Sequence, residues 1–248
     1  MISKNQIKHI RQLEIKKYRQ REGLFVAEGP KVVGDLMKAG YSPKELYAIE
    51  TYQGAAHSIQ IVSQDELCKI SFLQHPQQVL GVFRIPSQDS KLPSPDGRLS
   101  LALDGIQDPG NLGTIIRIAD WFGISSIYCS EDTADAWNPK VVQATMGSLA
   151  HVHIFYTDLE ALFQTAHCPI YGTLLDGQNI YEQSLSHEGI IVMGNEGNGI
   201  SPAIRQLVTH KLLIPNYNTS GETAESLNVA IATAITCAEF RRQFTQHK

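Results

Sequence analysis

Three loops in the second half of this 248-residue chain carry polar residues in patterns that can do chemistry. The first follows the apolar run LSLALDGI and breaks at Asp108-Pro109-Gly110-Asn111 before helical spacing resumes. In that helix Leu112, Ile115, Ile116, Ala119 and Phe122 form one stripe, and at about 100° per residue Arg117 points nearly opposite it. Asn111 is placed to cap the helix, and Gly110 and Gly113 permit close backbone approach. A capped helix with a solvated arginine and a ligand-binding loop both account for these positions. Two phosphate cradles are excluded, because neither GxGxxG nor GxxxxGK followed by Ser or Thr is present.

The second loop follows GIIVMG and reads Gly194-Asn195-Glu196-Gly197-Asn198-Gly199, before Ser201 caps and Pro202 opens another helix. Glu196 is an unwelcome neighbour for phosphate. It suits a cationic or hydroxyl-bearing ligand, or else it caps nearby amides. The third segment, IPNYNTSGETAESLNVAIATAITCAEF, ends in a helix of small apolar residues. Ser226 is its expected N-cap and Asn228 falls in its first turn. Such a helix needs contact on several sides, between elements or across a subunit interface.

The elements that must position these loops alternate strand and helix from Leu99 onward, which predicts α/β architecture with a parallel sheet and helices on both faces. Ligands bind such sheets at the carboxyl ends of the strands, so the loops after Ile106, Leu175, Met193 and Ile214 are where a site is expected. Upstream, a basic helix with Ile7, Ile10 and Leu13 in phase, the strand LFVAEG and a helix opened by Pro30 begin a smaller α/β unit. The expected domains are 1–86, a linker over 87–98 rich in Pro and Ser, and 99–248.

Bulk composition fits an ordinary globular chain, with 42% hydrophobic and 19% charged residues and a formal net charge of -4. No apolar run reaches the roughly 18 residues of a membrane helix, and the basic start lacks the apolar core of a secretory signal, so a cytoplasmic protein is expected. Cys68, Cys129, Cys168 and Cys237 form no CxxC pair. Buried, reduced thiols are expected, with no metal site. Seven Lys and Arg between Lys4 and Arg21 face only Glu14 and Glu22; this is a solvated helix face or a nucleic-acid contact. His151 and His153 share a strand face, Asp104 and Asp108 read as turn residues, and Trp121 and Phe122 as core.

Taken together and in order, DPGNLGTIIRIADWFG, IVMGNEGNGIS, and IP followed by ESLNVAIATAI resemble the three motifs of the SpoU (TrmH-like) branch of the SPOUT RNA methyltransferases. FVAEGPKVVGDLMKAG resembles the ribosomal-protein-like substrate-binding domain that many of these enzymes carry. The resemblance implies an S-adenosylmethionine-dependent ribose 2'-O-methyltransferase, a homodimer and a C-terminal trefoil knot. By the same analogy Gly194, Ile214 and Leu227 bind the cofactor, with Asn195, Gly199 and Thr173 beside them. Arg117, Asn111, Glu196, Ser226 and Asn228 are the implied catalytic positions. Ribosomal RNA is the expected substrate, with transfer RNA, or a non-catalytic RNA-binding role, as alternatives; a nicotinamide-dependent enzyme is a third, disfavoured by the missing fingerprint. Two departures stand out: the connector Asn216–Glu225 is longer than usual, and Val-Ala-Ile follows Asn228 where many relatives have Val-Ser-Val.

Overall fold

The computed structural model describes residues 1–54, 58–87, 92–218 and 226–245. The chain divides into two units, one of residues 1–87 with 135–151 and one of residues 88–134 with 152–248.

The first unit opens with α1 (Lys4–Gln12), whose start is closed by a reciprocal capping box between Ser3 and Gln6. The continuous basic helix expected here is instead two, α1 and α2 (Lys16–Glu22). Arg19 explains the break. It is 1% exposed and donates through Nη1 to the carbonyls of Leu13 (2.8 Å) and Glu14 (2.7 Å), which the interruption frees from helical pairing. Its Nε and Nη2 donate to Asp135 Oδ2 at 2.9 and 2.5 Å. One of the seven cations is therefore an internal clamp rather than part of the solvated face.

Beyond Gly23 (φ 62), a left-handed position suited to glycine, follow β1 (Leu24–Glu28), α3 (Pro30–Lys38), β2 (Pro43–Ala48), β3 (Gln60–Ile61), α4 (Gln64–Ile70) and β4 (Val79–Arg84). The sheet runs β1-β4-β2-β3, with β4 antiparallel to both neighbours. Its core joins Ile10 and Leu13 to Val26, Tyr47, Leu67 and Val82.

In the second unit β5 (Leu99–Asp104), α5 (Pro109–Trp121) and β6 (Ser126–Cys129) begin the predicted alternation. The chain then supplies α6 (Pro139–Ala144), which packs in the first unit, where Trp137 meets Phe25 at 4.8 Å between ring centroids. The alternation returns with β7 (His153–Tyr156), α7 (Leu159–Thr165), β8 (Ile170–Asn179), β9 (Gly189–Gly194), α8 (Pro202–Leu207), β10 (His210–Leu213) and α9 (Val229–Thr245). All five pairings in this sheet, ordered β10-β8-β9-β5-β6-β7, are parallel.

Successive strand side chains alternate between faces. Ala102, Tyr128, Ile190 and Val192 pack against α7 and α8 through Leu159, Phe163 and Ile204. Leu101, Leu103, Ile127 and Ile191, one residue out of phase, are equally buried on the face where α5 and α9 adjoin and α9 meets β9. Both faces being covered is why these strands read as nearly unbroken apolar runs.

Cys129, Cys168 and Cys237 are buried as expected, and desolvation raises their thiol pKa values, to about 11 for Cys168 and about 12 for Cys237. Cys68 is exposed, against expectation. Among the described residues no helix is long and apolar enough to cross a membrane, and no three His, Cys, Asp or Glu cluster as metal ligands.

Candidate active site

β5 and β9 are adjacent and in register to their ends, with Asp104 opposite Gly194. The loops that leave them therefore emerge side by side, at the carboxyl end of the sheet where ligands of parallel sheets bind. Side chains stitch the two loops together. Asn195 Nδ2 donates to the Gly105 carbonyl at 2.7 Å, and Asp104 Oδ2 accepts from the Ser201 amide at 2.6 Å. Asn195 Oδ1 also accepts from the amides of Gly197 and Asn198, at 2.9 and 3.0 Å, and so fixes its own loop.

Capping differs from the sequence expectation at two helices, and both differences release a site residue. Asp108, not Asn111, caps α5, with Oδ1 accepting from the Asn111 amide at 2.8 Å. Asn228, not Ser226, caps α9, its Oδ1 accepting from Ala230 and Ile231 at 3.0 and 3.3 Å. The freed side chain of Asn111 joins the three segments. Its Oδ1 accepts from Asn228 Nδ2 at 2.9 Å, and its Nδ2 donates to Glu196 Oε1 at 3.0 Å. Glu196 also accepts from the backbone amides of Gln107 and Asp108, both at 3.4 Å. These contacts make it a carboxylate that caps nearby amides, one of its two sequence readings.

Arg117 lies six residues, about 9 Å of helix, beyond Asn111. It is exposed, with no hydrogen-bond or ion-pair partner among the described residues. Gly110, Thr114, Arg117 and Trp121 recur at helical spacing on that exposed side. Trp121, read from sequence as core, is 86% exposed. Sequence reasoning placed Arg117 correctly opposite the buried stripe of Leu112, Ile115, Ile116 and Ala119.

Beside the Glu196 network is a cavity of about 610 Å³. Thr173 lines it from within β8, Gly194, Asn195, Glu196 and Gly199 from the end of β9 and the loop that follows, and Ile214, Ser226 and Leu227 from the segments before and after the connector. Asn111, Arg117 and Asn228 do not line it. A Cβ on Gly194 would come within 2.2 Å of the Gly199 carbonyl carbon and the Ile200 nitrogen, so only glycine permits this wall. Thr173 is tied to the same wall by its hydroxyl, which donates to the Val192 carbonyl at 3.2 Å. The connector Asn216–Glu225 is described only as far as Asn218; residues 219–225 lie outside the described residues.

The cavity also has lining residues that sequence reasoning missed: Leu175, Asp176, Arg205 and Ala232. The sequence reading expected a strand end and loop after Leu175, but β8 continues through it to Asn179, so Leu175 and Asp176 line the cavity from within the strand. Arg205, inside a short amphipathic helix, carried no sequence signal.

Residues 98–238 match the SpoU rRNA methylase family, and residues 4–81 match the MRM3-like substrate binding domain. The chain belongs to the SpoU rRNA methylase family. This SpoU chain is 31% identical over 243 residues to the 23S rRNA (guanosine(2553)-2'-O)-methyltransferase RlmP of Bacillus subtilis, which covers 94% of this chain and 95% of that one. Its fold superposes on a protein of the TrmH family from Porphyromonas gingivalis with TM-score 0.87 and 41% identity, covering 98% of this chain and 99% of that one. The AdoMet-bound rRNA methyltransferase of Sinorhizobium meliloti gives TM-score 0.84 and 30% identity, covering 98% and 97%.

The cofactor of this SpoU protein is S-adenosylmethionine, and the cavity residues fit it. The volume falls within the range of small-molecule sites. Leu175, Leu227 and Ala232 offer apolar contact to an adenine, and the glycine-rich wall brings backbone polar groups close to a ligand. S-adenosylmethionine has no phosphate, in keeping with the missing phosphate-binding fingerprints.

Proposed function

We propose that this protein transfers a methyl group to a ribose 2'-hydroxyl of ribosomal RNA, with the cavity holding S-adenosylmethionine and α5 presenting the acceptor ribose. The observation that carries this reading is the hydrogen-bonded line Glu196–Asn111–Asn228, which ties all three motif segments together beside the glycine-walled cavity.

When bound, the cofactor supplies an electrophilic methyl on a sulfonium. Held by the cavity residues, it would pass that methyl to the acceptor oxygen and leave as a neutral thioether, with the hydroxyl proton going to solvent water. The role of Arg117 in this reading is electrostatic: its guanidinium, a fork of N–H donors with no acceptor, binds the phosphate next to the acceptor ribose and stabilises developing charge on the 2'-oxygen. The Glu196–Asn111–Asn228 line holds the start of α5 at a fixed place relative to the cavity. Oxygen, methyl carbon and sulfur must lie in line, so this positioning supplies much of the rate.

The N-terminal unit supports an RNA partner. Lys4, Lys8, Arg11, Lys16, Lys17 and Arg21 are exposed around α1 and α2, and Arg21 lies 4.7 Å from the Tyr18 ring centroid. These cations contact phosphates, making binding strongly salt-dependent. A second copy of the chain completes the assembly in this reading. Trp121 on α5 and Ile231 on the adjoining α9 are large exposed apolar residues, and Ala238, about two turns further on the same face of α9, is exposed as well. Trp121→Glu is expected to convert the dimer to monomer in sedimentation. The trefoil knot belongs to the same reading, with Ser226 and Leu227 returning to the cavity after the connector.

Methyl transfer from labelled S-adenosylmethionine to total RNA of a strain lacking the gene tests the activity. Label in ribosomal RNA, with none in DNA, is expected, because DNA lacks the accepting hydroxyl. Label confined to transfer RNA would replace the substrate, and equal labelling of DNA would overturn the reaction.

A further inference from the structure

Three charged side chains gather at the cavity away from the Glu196 network. Arg205 Nη2 donates to Asp176 Oδ2 at 2.5 Å, and Lys211 Nζ donates to the same oxygen at 3.1 Å. Asp176 and Arg205 line the cavity. Asp176 Oδ1 and the Nε and Nη1 groups of Arg205 have no partner among the described residues.

We propose that Asp176 and Arg205 form the subsite for the aminoacyl end of S-adenosylmethionine, the guanidinium taking the α-carboxylate and the carboxylate taking the α-ammonium. This rests on the reading that the cavity holds the cofactor.

Charge and availability carry the assignment. The ligand's tail bears one negative and one positive group on a single carbon, which matches an adjacent cation and anion. Among the described lining residues, Arg205 is the one cation. The remaining lining carboxylate, Glu196, is committed to Asn111 and to two backbone amides. Arg205 can hold a carboxylate through paired N–H groups, a geometry its planar fork favours. The resident pair is easy to open, because its side chains are 39% and 51% exposed and an ion pair so exposed contributes little. Lys211 keeps Asp176 neutralised as Arg205 turns to the ligand. Its hydrogen bond is the largest influence holding the Asp176 carboxyl below its ordinary pKa, with Arg205 acting in the same direction. Asp176 Oδ1, which has no partner among the described residues, remains to take an ammonium.

Isothermal titration of the full chain with S-adenosylmethionine and with 5'-methylthioadenosine, which keeps the nucleoside but lacks the aminoacyl group, tests the subsite. Arg205→Ala is expected to weaken S-adenosylmethionine at least about tenfold, the worth of a charge-assisted hydrogen bond, and to leave methylthioadenosine within about twofold. Asp176→Asn is expected to act in the same direction, and Arg205→Lys to recover part of the loss. A parallel loss of both ligands would assign the pair to the nucleoside, and no loss of either would remove it from the site; both results overturn the proposal. Ala232→Trp, which fills the cavity, distinguishes failure of the underlying reading. It is expected to abolish both ligands, whereas unchanged binding of both would place the cofactor elsewhere. Thermal melting of each variant checks that it folds.

Discussion

The two halves of the site are built from different parts of the chain's chemistry. The side proposed for the acceptor is a relay of side chains, Glu196 to Asn111 to Asn228, each of them polar and two of the three exposed. The side proposed for the cofactor is a backbone path walled by Gly194 and Gly199 and by apolar residues, with Asp176 and Arg205 also lining it. A relay of amide and carboxylate groups specifies geometry only while every partner is present. A backbone wall is insensitive to most side-chain changes but has no tolerance for an added Cβ. The acceptor side should therefore fail in rate and the cofactor side in affinity.

The largest expected effect would sharpen that division. Arg117→Ala is expected to lower kcat about 10²–10³-fold, the usual cost of removing one transition-state donor. The S-adenosylmethionine dissociation constant should change little, as Arg117 does not line the cavity. An affinity loss as large as the rate loss would merge the two halves.

Next is the converse variant. Gly194→Ala puts a Cβ 2.2 Å from two backbone atoms of the facing strand of the loop, so either the wall moves or the side chain cannot be accommodated. Affinity for S-adenosylmethionine is expected to fall about 100-fold or more by equilibrium binding, on the scale of strong overpacking. Unimpaired binding would show that this wall does not touch the cofactor.

Asn111→Ala cuts the relay at its centre. A kcat loss of about 10–100-fold is expected, smaller than for Arg117 because the effect is on position rather than on charge. Single-turnover methylation with saturating cofactor measures it.

The smallest effect is a coupling. In a double-mutant cycle joining Asn111→Ala and Asn228→Ala, read by denaturant unfolding, an interaction of about 0.5–2 kcal/mol is expected for directly bonded neighbours. The same cycle between Asn111 and Thr173 should come out additive, since Thr173 bonds the Val192 carbonyl and belongs to the cavity wall. Coupling as strong as the first would dissolve the distinction.

Much of this arrangement was readable from residue order. The parallel sheet followed from alternating strands and helices, and the outward placement of Arg117 from a 3.6-residue stripe. The resemblance to the three motifs pointed to Gly194, Glu196 and Asn228, where residue types alone left capping and binding both open. What misled the reading was local and competitive. Asn111 and Asp108 both make good caps, and so do Ser226 and Asn228; the cap is won by whichever side chain tertiary contacts leave nearest the open amides. Arg19 looked like one more exposed cation until Asp135, 116 residues away, gave its charge an internal partner. Trp121 looked like core because aromatic residues usually are, yet α5 turns it outward.

By itself the sequence determined most of the alternation of strands and helices, the apolar stripes along them, and the short motifs in which polar residues gather. These depend on periodicity and residue type, which are local properties. Only the tertiary structure decided that Asn111 bonds both Asn228 and Glu196, that the Gly194 wall tolerates no Cβ, and that Arg205 and Asp176 stand together at the cavity. Each of those is a distance between residues far apart in the chain, set by strand register and helix packing, and no pattern within a single segment encodes it.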